Sequence, residues 1–186
     1  MSSNRQSARQ SSRRMAFCGM MVGLSAALML SGGLLPVATY CAPMAAAVLL
    51  LPVLFEYGRR AGWVSYAAVT LISFMLSADK EAAFFYMAIG YYPLIKWNLD
   101  RIRSRALRLL CKLAVFNVSI GLMYLILCVI FPIPAIAADF AGMGPALLAA
   151  FALALNVCML LYDRLLYPLS LLYWNRVRPR LSVFFQ

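Results

Sequence analysis

Six apolar stretches separated by short polar segments dominate the hydropathy pattern of this chain. They cover residues 15–39, 43–55, 61–77, 82–95, 106–131 and 144–161. Several reach the length of about 20 apolar residues that a helix needs to cross a hydrocarbon core. The second to fourth are shorter and carry prolines or polar flanks. Long runs of Ala, Leu and Met favour helices over barrel strands, so the pattern predicts an all-α integral membrane protein, a bundle of six transmembrane helices.

The basic residues are distributed unevenly between the polar segments. Of the 17 lysines and arginines, all but Lys80 fall in segments of one parity, whereas Asp79, Glu81 and Asp139 fall in the other. Lysine and arginine are retained on the cytoplasmic side of short loops. The distribution predicts that both termini are cytoplasmic, with basic tails at 1–14 and 174–186 and a membrane domain at 15–173.

Composition leads to the same class of protein. The chain is 65% hydrophobic and 12% charged over 186 residues, with a mean hydropathy of +0.83. That leaves too little polar surface to cover a water-soluble globule. The net charge of +11 lies beside the spans, which indicates attraction to anionic lipid headgroups and no nucleic-acid binding. The expected location is the bacterial cytoplasmic (inner) membrane.

Residues with catalytic chemistry are scarce. The chain has no histidine, P-loop, nucleophile elbow or metal-spaced carboxylate group. Its 5 cysteines show no C-x-x-C spacing, so we interpret them as small apolar fillers. We therefore expect no enzymatic activity, no metal and no cofactor.

The first apolar stretch carries small residues every four positions. Gly19, Gly23, Ala27 and Ser31 share one helix face, and such a face lets two helix backbones approach closely in lipid. It would seat either a partner protein or a neighbouring helix of the same bundle. The spacing alone leaves both interpretations open.

The segment between the third and fourth stretches combines charge with aromatic surface. Asp79, Lys80 and Glu81 precede Phe84, Phe85 and Tyr86, a mixture found in small-molecule pockets. Tyr40 and Asp139 lie in the other outer segments and are candidates for the same mouth. The alternative is a solvated loop. The candidate ligand residues are Tyr40, Lys80, Glu81, Phe84 and Tyr86.

Polar residues on the inner side and within the spans give further expectations. Asn117 and Asn156 lie inside apolar stretches, where interhelical hydrogen bonding is the favoured role and a cavity the alternative. Residues 97–110 alternate charged and apolar residues and predict an amphipathic helix that runs into the fifth span. We expect Asp100 to pair with Arg101 and Arg103, and Glu56 to pair with Arg59 and Arg60.

This layout resembles the substrate-binding S components of energy-coupling-factor (ECF) vitamin transporters, over about residues 14–173. Those proteins have six spans, both ends inside, and a small-residue face on helix 1, similar to Gly19, Gly23 and Ala27 here. The run Phe55-Glu56-Tyr57-Gly58-Arg59-Arg60-Ala61-Gly62 resembles their glycine-rich turn between helices 2 and 3. Gly90-Tyr91-Tyr92-Pro93 departs from the turn that follows their fourth helix.

The resemblance implies a function in uptake of a small, vitamin-like molecule. Helix 1 would dock on a transmembrane coupling subunit, and an ATPase pair would act from the cytoplasm. The ligand would lie under the 31–43 segment, near the outer halves of helices 4 to 6.

Two alternatives remain open. One is a non-transporting membrane scaffold of the cell envelope, similar in layout to the rod-shape protein MreD, whose bundle centre would be filled by side chains. The other is a self-contained dimeric permease, which is disfavoured because the acids lie at the predicted interfaces.

Overall fold

The protein is described by a computed structural model that covers residues 2–32, 38–77, 79–129 and 144–179. Within these ranges the chain forms helices and turns and no strand, so the predicted all-α class is confirmed. The helices are α1 (Ser2–Gly32), α2 (Ala38–Val48), α3 (Leu51–Leu76), α4 (Lys80–Ile89), α5 (Tyr92–Leu99), α6 (Arg105–Val129) and α7 (Pro145–Leu172), and a π-helical turn (Tyr173–Val177) follows α7.

Three of these segments are long and apolar enough to cross a membrane. They are Gln10–Gly32, Arg105–Leu127 and Pro145–Val177, which correspond to the predicted first, fifth and sixth spans. Among the described residues there are four candidate spans if one bent helix pair is counted as a single span. That pair is Thr39–Val48 and Leu51–Leu76, with a bend of 69° at the break. The chain is therefore a membrane protein by helix length and composition, while the count of six and the side of the termini stay predictions.

The predicted second span is interrupted. Leu49 and Leu50 form a turn between α2 and α3, and Pro52 lies in the first turn of α3. A proline has no N–H to donate and its ring clashes with the carbonyl four residues earlier, so a helix restarts there more easily than it continues. The structure thus places a break inside the stretch 43–55.

A second break lies at Gly58, inside α3. This residue has φ 78° and ψ −177°, a conformation that is essentially restricted to glycine. The position falls within the glycine-rich turn expected between the second and third spans. The sequence therefore indicated the place where the backbone departs from the helix, although α3 continues on both sides of it.

The predicted fourth span consists of two short helices. Gly90 ends α4, and its N–H donates to the carbonyl of Tyr86 at 2.6 Å. Tyr92 then begins α5, with Pro93 in the first turn, where the absent N–H costs no hydrogen bond.

The expected amphipathic helix over 97–110 is wrong. Helix α5 ends at Leu99 and α6 begins at Arg105, where the hydroxyl oxygen of Ser104 accepts from the backbone N–H of Leu107 at 3.5 Å. A serine in this position satisfies a free N–H at a helix start and so favours a new helix over a continuous one. The sixth apolar stretch, in contrast, continues beyond residue 161 as α7, through Pro168.

The helices group into two compact units. The first comprises the residues up to Ile95 together with those from Leu166, and the second comprises Lys96–Leu165. The core of the first is a buried cluster from α1 to α4, namely Met29, Ala46, Ala47, Leu50, Val69, Ala82 and Tyr86. Among the hydrogen bonds between helices of this unit, Ser25 Oγ donates to the Ala46 carbonyl at 3.1 Å and the Tyr66 hydroxyl donates to the Met87 carbonyl at 2.6 Å.

Substitution of Gly58 tests whether its conformation is required. We expect Gly58→Ala to destabilise the protein by about 1–3 kcal/mol, since a β-carbon is strained at that φ and ψ. Gly23→Ala is the control, because Gly23 is helical with open space around a β-carbon, and alanine there should be neutral or slightly stabilising. The measurement is the unfolding midpoint in detergent; equal midpoints for the two variants would contradict the assignment.

Candidate functional site

Four polar side chains meet where α2 and α4 begin, and we name Thr39, Tyr40, Asp79 and Glu81 the acidic cluster. The Thr39 hydroxyl donates to Asp79 Oδ2 at 2.9 Å, and the Tyr40 hydroxyl donates to Glu81 Oε1 at 2.7 Å. Asp79 also caps α4, since its Oδ1 accepts from the Ala82 N–H at 3.1 Å. The structure therefore brings two of the candidate ligand residues, Tyr40 and Glu81, into contact. Asp139 lies outside the described residues.

The other three candidate ligand residues have different environments. Lys80 donates its Nζ to the carbonyl of Phe74 at 2.9 Å and is otherwise exposed. Phe84 is buried edge-on against Phe74, with ring centroids 4.6 Å apart. The ring of Tyr86 is buried and stacked on Tyr66, and its hydroxyl has no hydrogen-bond partner among the described residues. Phe84 and Tyr86 thus contribute to core packing beneath the acidic cluster.

The small-residue face of α1, which we define as Gly19, Gly23 and Ala27, is exposed. Apart from the helix itself, no described atom lies within 4 Å of a β-carbon built on either glycine. The opposite face of α1 is buried, through Phe17, Ser25, Ala26 and Met29. Packing against a neighbouring helix of the same chain, one of the two interpretations of this face, is therefore not found in the described part of the chain.

Sequence reasoning missed a group of four charges, which we name the four-charge cluster: Lys96, Asp100, Lys112 and Asp163. Lys96 Nζ contacts Asp163 Oδ1 and donates to the Asp163 carbonyl at 2.8 Å. Lys112 Nζ lies 2.8 Å from Asp163 Oδ2 and 2.6 Å from Asp100 Oδ1. The lysine side chains are only 5% and 7% exposed. The cluster joins α5, the turn after it, α6 and α7.

This arrangement neutralises charges that the surroundings cannot solvate. Two positive and two negative groups alternate, and Lys96 Nζ also lies 3.6 Å from Asp100 Oδ2, so each lysine contacts both carboxylates. Removing ammonium and carboxylate groups from water costs several kcal/mol for each ion, which only well-placed partners offset. The cluster therefore fixes the relative positions of the three helices within the second unit.

The expected pairing of Asp100 with Arg101 and Arg103 is wrong, because the carboxylate of Asp100 contacts Lys96 and Lys112. A sequence signal for this pairing existed. Lys112 lies between apolar residues inside a predicted span, and a charge in such a position normally pairs with one of opposite sign.

Asn117 and Asn156 form a reciprocal amide pair between α6 and α7. Asn117 Nδ2 donates to Asn156 Oδ1 at 2.8 Å, and Asn156 Nδ2 donates to Asn117 Oδ1 at 3.1 Å. Each amide also donates to the carbonyl four residues earlier in its own helix, at 2.8 Å. The predicted interhelical hydrogen bond is confirmed.

Glu56 is paired, but not with the neighbours expected. Its Oε1 accepts from the Tyr173 hydroxyl at 3.1 Å and lies 2.9 Å from Arg178 Nε. The guanidinium of Arg178 lies 4.2 Å from the centroid of the Trp174 ring, a cation–π contact. The expectation that Glu56 pairs with Arg59 and Arg60 was wrong because the π-helical turn brings a more distant arginine into place.

No family model, curated protein or solved structure matches this chain. The comparisons therefore do not support the resemblance to S components, and a proposal of function depends on the geometry described above. Within the described ranges, no group of three or more histidine, cysteine or carboxylate side chains is placed to hold a metal ion.

Removal of one charge from the four-charge cluster tests its role. We expect Asp163→Asn to destabilise the protein by about 3–5 kcal/mol, because two buried lysines lose their shared carboxylate. The double variant Asp163→Asn with Lys112→Met leaves the neutral pair Lys96 and Asp100 and should unfold at a higher temperature than Asp163→Asn alone. Unfolding in detergent is the measurement, with exposed Arg164→Gln as the control; a double variant less stable than the single one would contradict this account.

Proposed function

We propose that this chain is the membrane-embedded substrate-binding subunit of an uptake system for a small molecule, as the resemblance to S components implies. In this proposal it spans the bacterial cytoplasmic membrane six times with both termini inside. It works with a transmembrane coupling subunit and an ATPase pair. The observation that carries the proposal is the small-residue face of α1, which the described part of the chain leaves uncovered.

The geometry of that face supports docking of another membrane helix. Gly19 and Gly23 have no side chain, and no described atom outside α1 would meet a β-carbon there. A partner backbone can therefore approach closely and gain packing energy, which is the main source of helix association where lipid is as apolar as the helix. The face lies within the candidate span Gln10–Gly32, at membrane depth.

The acidic cluster supports a ligand that carries a positive charge. Its two carboxylates lie two residues apart at the start of α4, and each accepts a hydrogen bond from a hydroxyl of α2. A hydroxyl can be displaced by a stronger cationic donor, since charge-assisted hydrogen bonds are about twice as strong as neutral ones. Lys80, the residue that would favour an anionic ligand, donates to a backbone carbonyl instead.

A scaffold function is the second candidate, and the packing of Phe84 and Tyr86 favours it. Both rings are buried among neighbouring side chains. A bundle end filled in this way matches a protein that holds partners without binding a small molecule. Both functions would use partner docking through α1. Whether the protein binds a small molecule therefore distinguishes a substrate-binding subunit from a scaffold.

Substitution on the small-residue face tests partner docking. We expect affinity purification of the detergent-solubilised chain from its native membrane to recover a coupling subunit and ATPases, and Gly23→Leu to lower that recovery roughly tenfold by blocking close helix approach. Gly121→Leu is the matched control, because Gly121 is also exposed with open space around its β-carbon. Recovery of cell-envelope proteins without ATPases would favour the scaffold, and equal recovery with both variants would contradict docking through α1.

Substitution in the acidic cluster tests ligand binding. We expect mass spectrometry of the purified wild-type protein to detect a bound small cation, and Glu81→Gln to lower its occupancy about tenfold or more through loss of a charged acceptor. Lys80→Gln, next in sequence, should retain the ligand. Loss with Lys80→Gln but not with Glu81→Gln would contradict a cationic ligand, and no bound molecule in the wild type would favour the scaffold.

A further inference from the structure

A groove of about 350 Å³ lies between α1 and α3, away from the acidic cluster and the small-residue face. We name it the arginine groove; it is lined by Ser11, Arg14, Met15, Cys18, Arg60, Ala61, Val64 and Ser65. The lining residues from α1 recur three or four positions apart, as expected for one face of a helix. Two of the four residues that face them from α3, Ala61 and Ser65, are small, which leaves space between the helices.

The two arginines lie towards one end of the groove, and Cys18, Val64 and Ser65 lie towards the other. Arg14 contacts Tyr57 near the arginine end, and further along the same helices Val22 packs on the core cluster that contains Val69. These contacts indicate that the two helices run in the same direction, with Arg14 and Arg60 each one turn before Cys18 and Val64 in their helices. Met15 and Val64 are 72% and 70% exposed, so both offer apolar surface to a ligand.

The charge of the groove is entirely positive. Two arginines and no acid line it, and the nearby carboxylate of Glu56 is paired with Arg178. Arg14 is held in place by its guanidinium over the Tyr57 ring, 5.3 Å from the centroid, and by a 3.4 Å hydrogen bond from Nη2 to the Tyr57 carbonyl. A guanidinium has five N–H donors in a planar fork that matches phosphate oxygens. Donors of both arginines therefore remain for a phosphate.

The groove also lies at the depth of lipid headgroups. The candidate span begins at Gln10, so Ser11 lies in its first turn, Arg14 begins the second and Cys18 lies about one turn beyond Arg14. A phosphate bound by the arginines would be at the membrane surface, and a chain extending from it would run along Met15 and Val64 into the hydrocarbon. A free inorganic phosphate would leave this apolar half of the groove unused.

We infer that the arginine groove binds an anionic glycerophospholipid, with the phosphate on Arg14 and Arg60 and one acyl chain against Met15, Cys18 and Val64. This inference does not depend on the transport proposal, because neither the acidic cluster nor the small-residue face takes part. In this inference the two arginines form a specific lipid-binding site. This differs from the non-specific attraction between any basic membrane surface and anionic lipids.

Native mass spectrometry of the detergent-solubilised protein with added phosphatidylglycerol or phosphatidylcholine tests the site. We expect bound phosphatidylglycerol to fall about fivefold for Arg60→Gln and roughly twentyfold for Arg14→Gln with Arg60→Gln. The matched control is Arg13→Gln with Arg59→Gln, which removes the same charge from the neighbouring positions outside the groove and should change binding less than twofold. Because Arg14 also contacts Tyr57, the Arg60→Gln variant keeps the test independent of any loss of folding.

A second readout locates the acyl chain. In a variant whose only cysteine is Cys18, a fluorophore on that thiol should be quenched by phosphatidylglycerol that carries a spin-labelled acyl chain, and the quenching should be lost with Arg60→Gln. Equal binding of phosphatidylcholine, an equal loss in the control variant, or full competition by inorganic phosphate would each overturn the inference. The first two outcomes would indicate diffuse attraction, and the third a simple anion site.

Discussion

The neutralisation of charge away from water is the constraint on which the rest of this structure depends. A chain this apolar has little polar surface, and an unpaired ammonium or carboxylate inside it would cost several kcal/mol. The four-charge cluster resolves this for Lys96 and Lys112 by placing each between two carboxylates. Because the four residues come from α5 with the turn after it, α6 and α7, a change in the packing of these segments would separate the charges.

The same constraint accounts for the other acids that the structure describes. Asp79 and Glu81 each accept from a hydroxyl of α2, and Glu56 accepts from Tyr173 and contacts Arg178. The amides of Asn117 and Asn156 satisfy each other in the same way. Many of the polar groups in the described part of the chain thus hold helices together.

The sequence predicted the class of the fold better than the continuity of its helices. Hydropathy marked the three long spans because apolar length is a property of consecutive residues. It did not show that Pro52 and Gly90 would interrupt the second and fourth stretches, since a proline or glycine permits a break without requiring one. The resemblance to S components implied a turn over residues 55–62, and the break at Gly58 lies within that run.

Partner choice was the main failure of prediction at the sites. Arg101 and Arg59 are close in sequence to Asp100 and Glu56. The carboxylates instead contact Lys96 and Lys112, and Arg178. An ion pair between sequence neighbours at an exposed surface adds little to stability. A buried charge needs a partner of opposite sign, and tertiary packing decides which residue that is. The Asn117–Asn156 pair was predictable because each amide lay alone in an apolar stretch and needed a partner.

The contact between Glu56 and Tyr173 has a consequence for how the protein is made. The two residues are 117 positions apart, and Arg178 joins them from further along the chain. Synthesis must therefore proceed past residue 178 before these contacts of the first unit can form. Helices α1 to α4 are synthesised first. Until residues 173–178 have been added, the Glu56 carboxylate lacks its contacts with Tyr173 and Arg178.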